Sequence, residues 1–62
     1  MEQEIVLTLF GFPVKVNYLI INHFKKDIKI TSIKLNGGMF NIIANVNLDK
    51  INDLKKQIRR KI

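Results

Sequence analysis

The chain has 62 residues, eleven Lys and Arg against five Asp and Glu, a net charge of +6 and no cysteine. That length accommodates one domain, 1–62. Without thiols, neither disulfides nor thiolate-held metals support a core that buries only about 60% of its unfolded surface.

The positive excess points toward phosphate-rich or acidic surfaces. An Ile-, Lys- and Asn-rich composition reaches the same charge without any partner, so charge alone specifies none. The longest apolar runs, 5–12 and 18–21, fall well short of the ~18 to 20 residues of a membrane span. The opening Met1-Glu2-Gln3-Glu4 is acidic where a signal peptide is basic. The expectation is a cytoplasmic protein with no membrane partner.

Glu4 to Phe10 alternates as a strand, with Ile5, Leu7 and Leu9 on one face and Val6, Thr8 and Phe10 on the other. Two apolar faces predict a strand covered on both sides. Gly11-Phe12-Pro13 breaks it. Val14 to Lys26 reads two ways. As a helix opened by Pro13 it aligns Val16, Leu19, Ile20 and Phe24 on one stripe. As a strand it alternates Val14, Val16 and Tyr18 with Lys15 and Asn17, which suits its β-branched residues. Segment length and the leading proline favour the helix.

Ile28 to Leu35 is a strand whose apolar parity changes from Ile28 and Ile30 to Ile33 and Leu35. A bulge at Thr31-Ser32 accounts for the change, since one extra residue flips every later side chain. Asn36-Gly37-Gly38 supplies a tight hairpin turn. Met39 to Val46 follows as a strand with Phe40, Ile42, Ala44 and Val46 inward. Asn47 is an N-cap for a helix over Leu48 to Ile62, with Leu48, Ile51, Leu54, Ile58 and Ile62 on one stripe about 120° wide. Its acids come early and its bases late, which complements the helix dipole.

The predicted fold is therefore α+β, a ferredoxin-like βαββα sandwich lacking the fourth strand. The alternative is a four-stranded antiparallel meander plus a C-terminal helix.

Catalysis finds no support. His23 is the single histidine, and no serine or cysteine stands at a recognised spacing from it. Asp49 and Asp53, one helical turn apart, read as solvated N-terminal charges. No His/Cys metal set exists. Gly37-Gly38 leads into an expected strand rather than a helix, which is the wrong context for a phosphate-binding loop. The expectation is a non-enzyme without metal or cofactor. Lys55, Lys56, Arg59, Arg60 and Lys61 form the one basic cluster suited to nucleic-acid phosphates; the same residues also serve dipole and solubility.

The strand Ile5 to Phe10, the loop Gly11-Phe12-Pro13, the opening Val16-Asn17, the segments 28–33 and 39–46 and the tail 54–62 together resemble the ACT domain. The match is nearest the regulatory small subunit of acetolactate synthase, with the NIL domain related. The resemblance covers nearly the whole chain at the level of pattern. It implies a non-catalytic regulatory or assembly module that senses an amino acid and modulates a partner enzyme of amino-acid metabolism. The effector would sit around Gly11, Phe12, Pro13 and Asn17, and the partner would be a second copy or a larger catalytic subunit. Val14 follows Pro13 where family members carry glycine, so a Cβ stands at the effector's approach. The family's fourth strand, which pairs with the first, has no counterpart, leaving the edge of Ile5 to Phe10 open for association. The alternative function is a small basic nucleic-acid-binding protein using the C-terminal helix.

Overall fold

Two short turns fold the first half of the chain into a meander. The computed structural model describes residues 2–35 and 37–62. Strands β1 (Gln3–Leu9), β2 (Phe12–Asn22) and β3 (Asp27–Leu35) form one antiparallel sheet in the order β1-β2-β3. A 3-10 turn at Ile43–Asn45 and helix α1 (Leu48–Arg59) follow. The α+β class holds, as a three-stranded sheet with one C-terminal helix.

The helix expected over Val14 to Lys26 is instead strand β2 and the turn after it, the strand reading of that segment. The deciding element is local. Phe10 and Gly11 have φ of 53° and 78°, positive at both central positions as in a type I′ turn, and Leu9 pairs with Phe12 across it. Once that turn forms, β2 is held against β1 and its Val and Ile side chains fit the pleat. Pro13 is tolerated because Leu9↔Phe12 is the hydrogen-bonded pair closing the turn. Its neighbour Thr8↔Pro13 is then a non-bonded pair, and the proline nitrogen faces away from β1. On that side the first described pair with β3 is Val14↔Leu35, so Pro13 stands at the end of the described ladder, where a missing N–H is tolerated.

Asn22 ends β2. Its Oδ1 accepts from the backbone N–H groups of Phe24 (3.0 Å) and Lys25 (3.2 Å), an Asx turn that reverses the chain. Lys26 completes the reversal at φ 53°. In β3 the expected bulge is present: Asn17 pairs with Ser32 and Tyr18 with Ile30, leaving Thr31 as the extra residue. Its Oγ1 donates to the Asn17 carbonyl at 3.1 Å, tying the bulge to β2. The bulge restores Ile33 to the same buried face as Ile28 and Ile30.

The strand expected over Met39 to Val46 does not form. Gly38 N–H donates to the Leu35 carbonyl at 2.7 Å, so β3 does end in a turn with Gly37 at φ 85°; Asn36 of the expected hairpin lies outside the described residues. Beyond the turn only a single bridge, Lys34↔Asn41, continues the sheet. Asn41 Oδ1 accepts from the N–H groups of Ile33 (3.0 Å) and Ile43 (3.1 Å). This side chain substitutes for a strand carbonyl and bends the chain into the 3-10 turn, the competition with secondary structure that asparagine offers. Phe40, expected inside, is 86% exposed, and Ala44 is also exposed. Ile42 is half-buried and Val46 alone of the four is buried.

Helix α1 starts where expected, with Asn47 Oδ1 accepting from Lys50 N–H at 3.0 Å. It ends at Arg59, three residues before the expected end. Leu54 and Ile58 are fully buried and Ile51 packs at the core margin. They meet Leu7 and Leu9 of β1, Val14, Val16 and Tyr18 of β2, and Ile28, Ile30 and Ile33 of β3 in one core. Leu48 falls at the margin of the stripe and stays exposed. The helix thus covers one face of the sheet. The opposite face, with Val6 half exposed, carries no second layer, so β1 is covered on one side rather than two.

Candidate nucleic-acid interface

The fold gathers charge at one end. Arg59 Nε donates to the Lys26 carbonyl at 3.2 Å, which joins the end of α1 to the β2–β3 turn. The turn carrying Lys25 and Lys26 thereby meets the end of the helix whose last residues and tail carry Lys55, Lys56, Arg59, Arg60 and Lys61. These seven cations stand with only Asp27 and Asp53, so the region holds +5 of the chain's +6. Asp53 is itself engaged: Gln57 Nε2 donates to its Oδ2 and to the Thr8 carbonyl, each at 3.2 Å.

The helix sets the directions of its cations. With Leu54 and Ile58 inward, Lys56, Arg59 and Arg60 project from the opposite side at ~100° per residue. Lys56, Arg60 and Lys61 are exposed, while Lys55 and Arg59 are half-buried along their stems. Phe24, fully exposed, stands next to Lys25 at the tip of the turn. Among the described residues the one ion pair is Lys15–Glu4, 3.8 Å apart on the open sheet face and largely solvated. No carboxylate within 4 Å therefore neutralises the cations of the basic end.

All five helix cations named from sequence belong to this end. Lys25, Lys26 and Phe24 are not among the residues the sequence points to, because a helix over Val14 to Lys26 places them at its close. The signal for them was Asn22 two residues ahead of Phe24, an Asx-turn position that marks 23–26 as a loop tip.

The residues tied to the ACT resemblance are not brought together. Gly11 sits in the β1–β2 turn and Phe12 and Pro13 open β2. Asn17 lies on the open face opposite Glu4 and Ser32, about 16 Å along the strand from Phe12 at ~3.3 Å per residue. No pocket is present among the described residues, and no group of three His, Cys, Asp or Glu side chains is placed to hold a metal. No helix is long and apolar enough to cross a membrane. No family model, curated protein or solved structure matches the chain.

Proposed function

We propose that this protein is a non-catalytic module that binds nucleic acid through its basic end, with phosphates held by the turn and the helix terminus. The observation that carries the reading is the Arg59–Lys26 hydrogen bond, which merges two clusters separated by 28 residues of sequence into one cationic surface. Exposed Lys and Arg side chains at a helix terminus suit a phosphate backbone, where each contact releases a condensed counterion. Phe24 adds a π-face for stacking on an unpaired base, worth roughly 1–3 kcal/mol when such a contact forms.

Fluorescence anisotropy with short single-stranded and duplex oligonucleotides at several salt concentrations tests the reading. The expected result is affinity that falls steeply with salt, and a selective loss for single strands on Phe24→Ala. No binding at low salt, or binding to phosphatidylserine vesicles in place of both oligonucleotides, would contradict it.

A second reading, an ACT-like regulatory or assembly module, is favoured by one observation. β1 is an edge strand whose Thr8 carbonyl accepts from the Gln57 side chain, with no further strand beside it among the described residues. A partner subunit adding a strand there would satisfy the free backbone groups. An amino-acid effector would have to reach Gly11, Phe12 and Pro13 on one chain and take its remaining contacts, Asn17 included, across a subunit boundary. Recovery of a large catalytic subunit free of nucleic acid in a pull-down from cytosol selects this reading over the first.

A further inference from the structure

The end of the sheet opposite the basic cluster is apolar. Phe10 is in the β1–β2 turn and Phe12 opens β2; Leu35, two residues along from Phe12, pairs with Val14. Met39 and Phe40 follow in the loop that leaves β3, and Leu48 begins the helix whose Lys50 Nζ stands 5.3 Å from the centre of the Phe10 ring. Six of the ten exposed large hydrophobic residues among those described are therefore at this end, at 53–87% exposure.

At roughly 200 Å² for a fully exposed aromatic side chain and somewhat less for Leu or Met, they present about 750 Å² of surface. That is close to the ~800 Å² per partner of a stable protein interface. The total accessible surface, 4576 Å², also exceeds the ~4,100 Å² expected of a folded monomer of this mass.

Phe10 supplies an independent observation. It occupies φ 53° in a type I′ turn, the position where Asn, Asp or Gly is favoured and a bulky side chain is strained. An exposed aromatic held against its backbone preference is strain of the kind that marks a functional position.

We propose that this apolar end is the interface of a two-fold dimer, the occupant being a second copy of the same chain. Charge selects the pairing. Two basic ends, each at +5, repel strongly, whereas the apolar patch is flanked by Asp49, Lys50 and Lys34, a net charge of only +1 (two Lys less one Asp). A self-complementary patch on a two-fold axis closes after two copies. It leaves the basic ends pointing apart, free for two stretches of phosphate backbone. The dimer stands independently of the nucleic-acid reading, because it is measured without nucleic acid.

Sedimentation equilibrium over the micromolar range tests it, on the wild type, on the double variant Phe10→Asn with Phe40→Ser, and on Val6→Lys of the open sheet face. The wild type is expected at twice 7.2 kDa. The double variant should raise the dissociation constant about thirtyfold or more, the effect of losing a hot-spot aromatic. At a concentration where both proteins are monomeric its thermal midpoint should not fall below that of the wild type, since Asn suits the turn and Phe40 packs against little. Val6→Lys should leave the dimer intact. A wild type that stays monomeric, a dimer that survives the double variant, or one that Val6→Lys dissolves would each overturn the proposal.

Discussion

The two ends of this sheet are closed by different turns and carry contrasting surfaces. At one end the β1–β2 turn carries Phe10 and Gly11 and is surrounded by Phe12, Leu35, Met39, Phe40 and Leu48. At the other the β2–β3 turn carries Phe24, Lys25 and Lys26 and is linked to the helix terminus through Arg59. The middle of the molecule, where Val16, Ile33, Leu54 and Ile58 are fully buried, is a small core with little to spare. Stability is concentrated in that middle, and the surface chemistry is sorted to the ends. Substitutions in the middle should therefore unfold the chain, while those at an end should alter one kind of binding and leave the fold.

The largest effect should come from the core. Leu54→Ala removes a side chain with no exposed surface and should destabilise by about 2–5 kcal/mol, read as a lowered midpoint in urea. For a domain this small that is a large part of the total. An unchanged midpoint would show that the helix does not seal the sheet.

Next comes Asn41. Its carboxamide accepts from Ile33 and Ile43 at once, so Asn41→Ala leaves the part-buried Ile33 N–H without a partner, at a cost of about 1–3 kcal/mol. Hydrogen exchange should show the Ile33 amide losing protection before those of β1 do. Equal protection in the variant would mean that the bridge at Asn41 does not hold the loop.

Asn47→Ala should cost about 1 kcal/mol through loss of the helix cap, with the fraying confined to the first turn of α1 in amide exchange. Phe10→Asn should move stability the other way, by about 1 kcal/mol, because asparagine tolerates the left-handed conformation that phenylalanine resists. Measured at a concentration where the chain is monomeric, a loss of stability in that variant would contradict the type I′ turn.

Periodic and capping signals made much of this fold legible. The helix stripe of Ile51, Leu54 and Ile58, the Asn47 cap, the alternation of Ile5, Leu7 and Leu9 and the bulge at Thr31 were all readable from residue spacing. What spacing hid was decided by single side chains acting on the backbone. Pro13 argued for a helix start, yet a proline at the first residues of a strand is equally at ease, and the Phe10-Gly11 turn then makes β2 a strand. Met39 to Val46 has the alternation of a strand, but Asn41 redirects its hydrogen bonds into a 3-10 turn. The basic cluster was half legible. Its helical part is contiguous in sequence, while Lys25 and Lys26 join it only through the chain reversal begun by Asn22.

The division of labour between the two ends is tested most directly by salt-dependent binding of an oligonucleotide short enough to hold one site, compared between two variants. One variant is Lys26→Gln, Lys56→Gln and Arg60→Gln; the other is Phe10→Asn with Phe40→Ser. Each phosphate contact contributes roughly 0.9 to the slope of log affinity against log salt for duplex DNA. The basic-end variant should therefore bind more weakly, with a slope smaller in magnitude by about 2–3 units, while the apolar-end variant keeps both the wild-type slope and affinity. Equal slopes in the wild type and the basic-end variant, or a loss of binding confined to the apolar-end variant, would contradict the account.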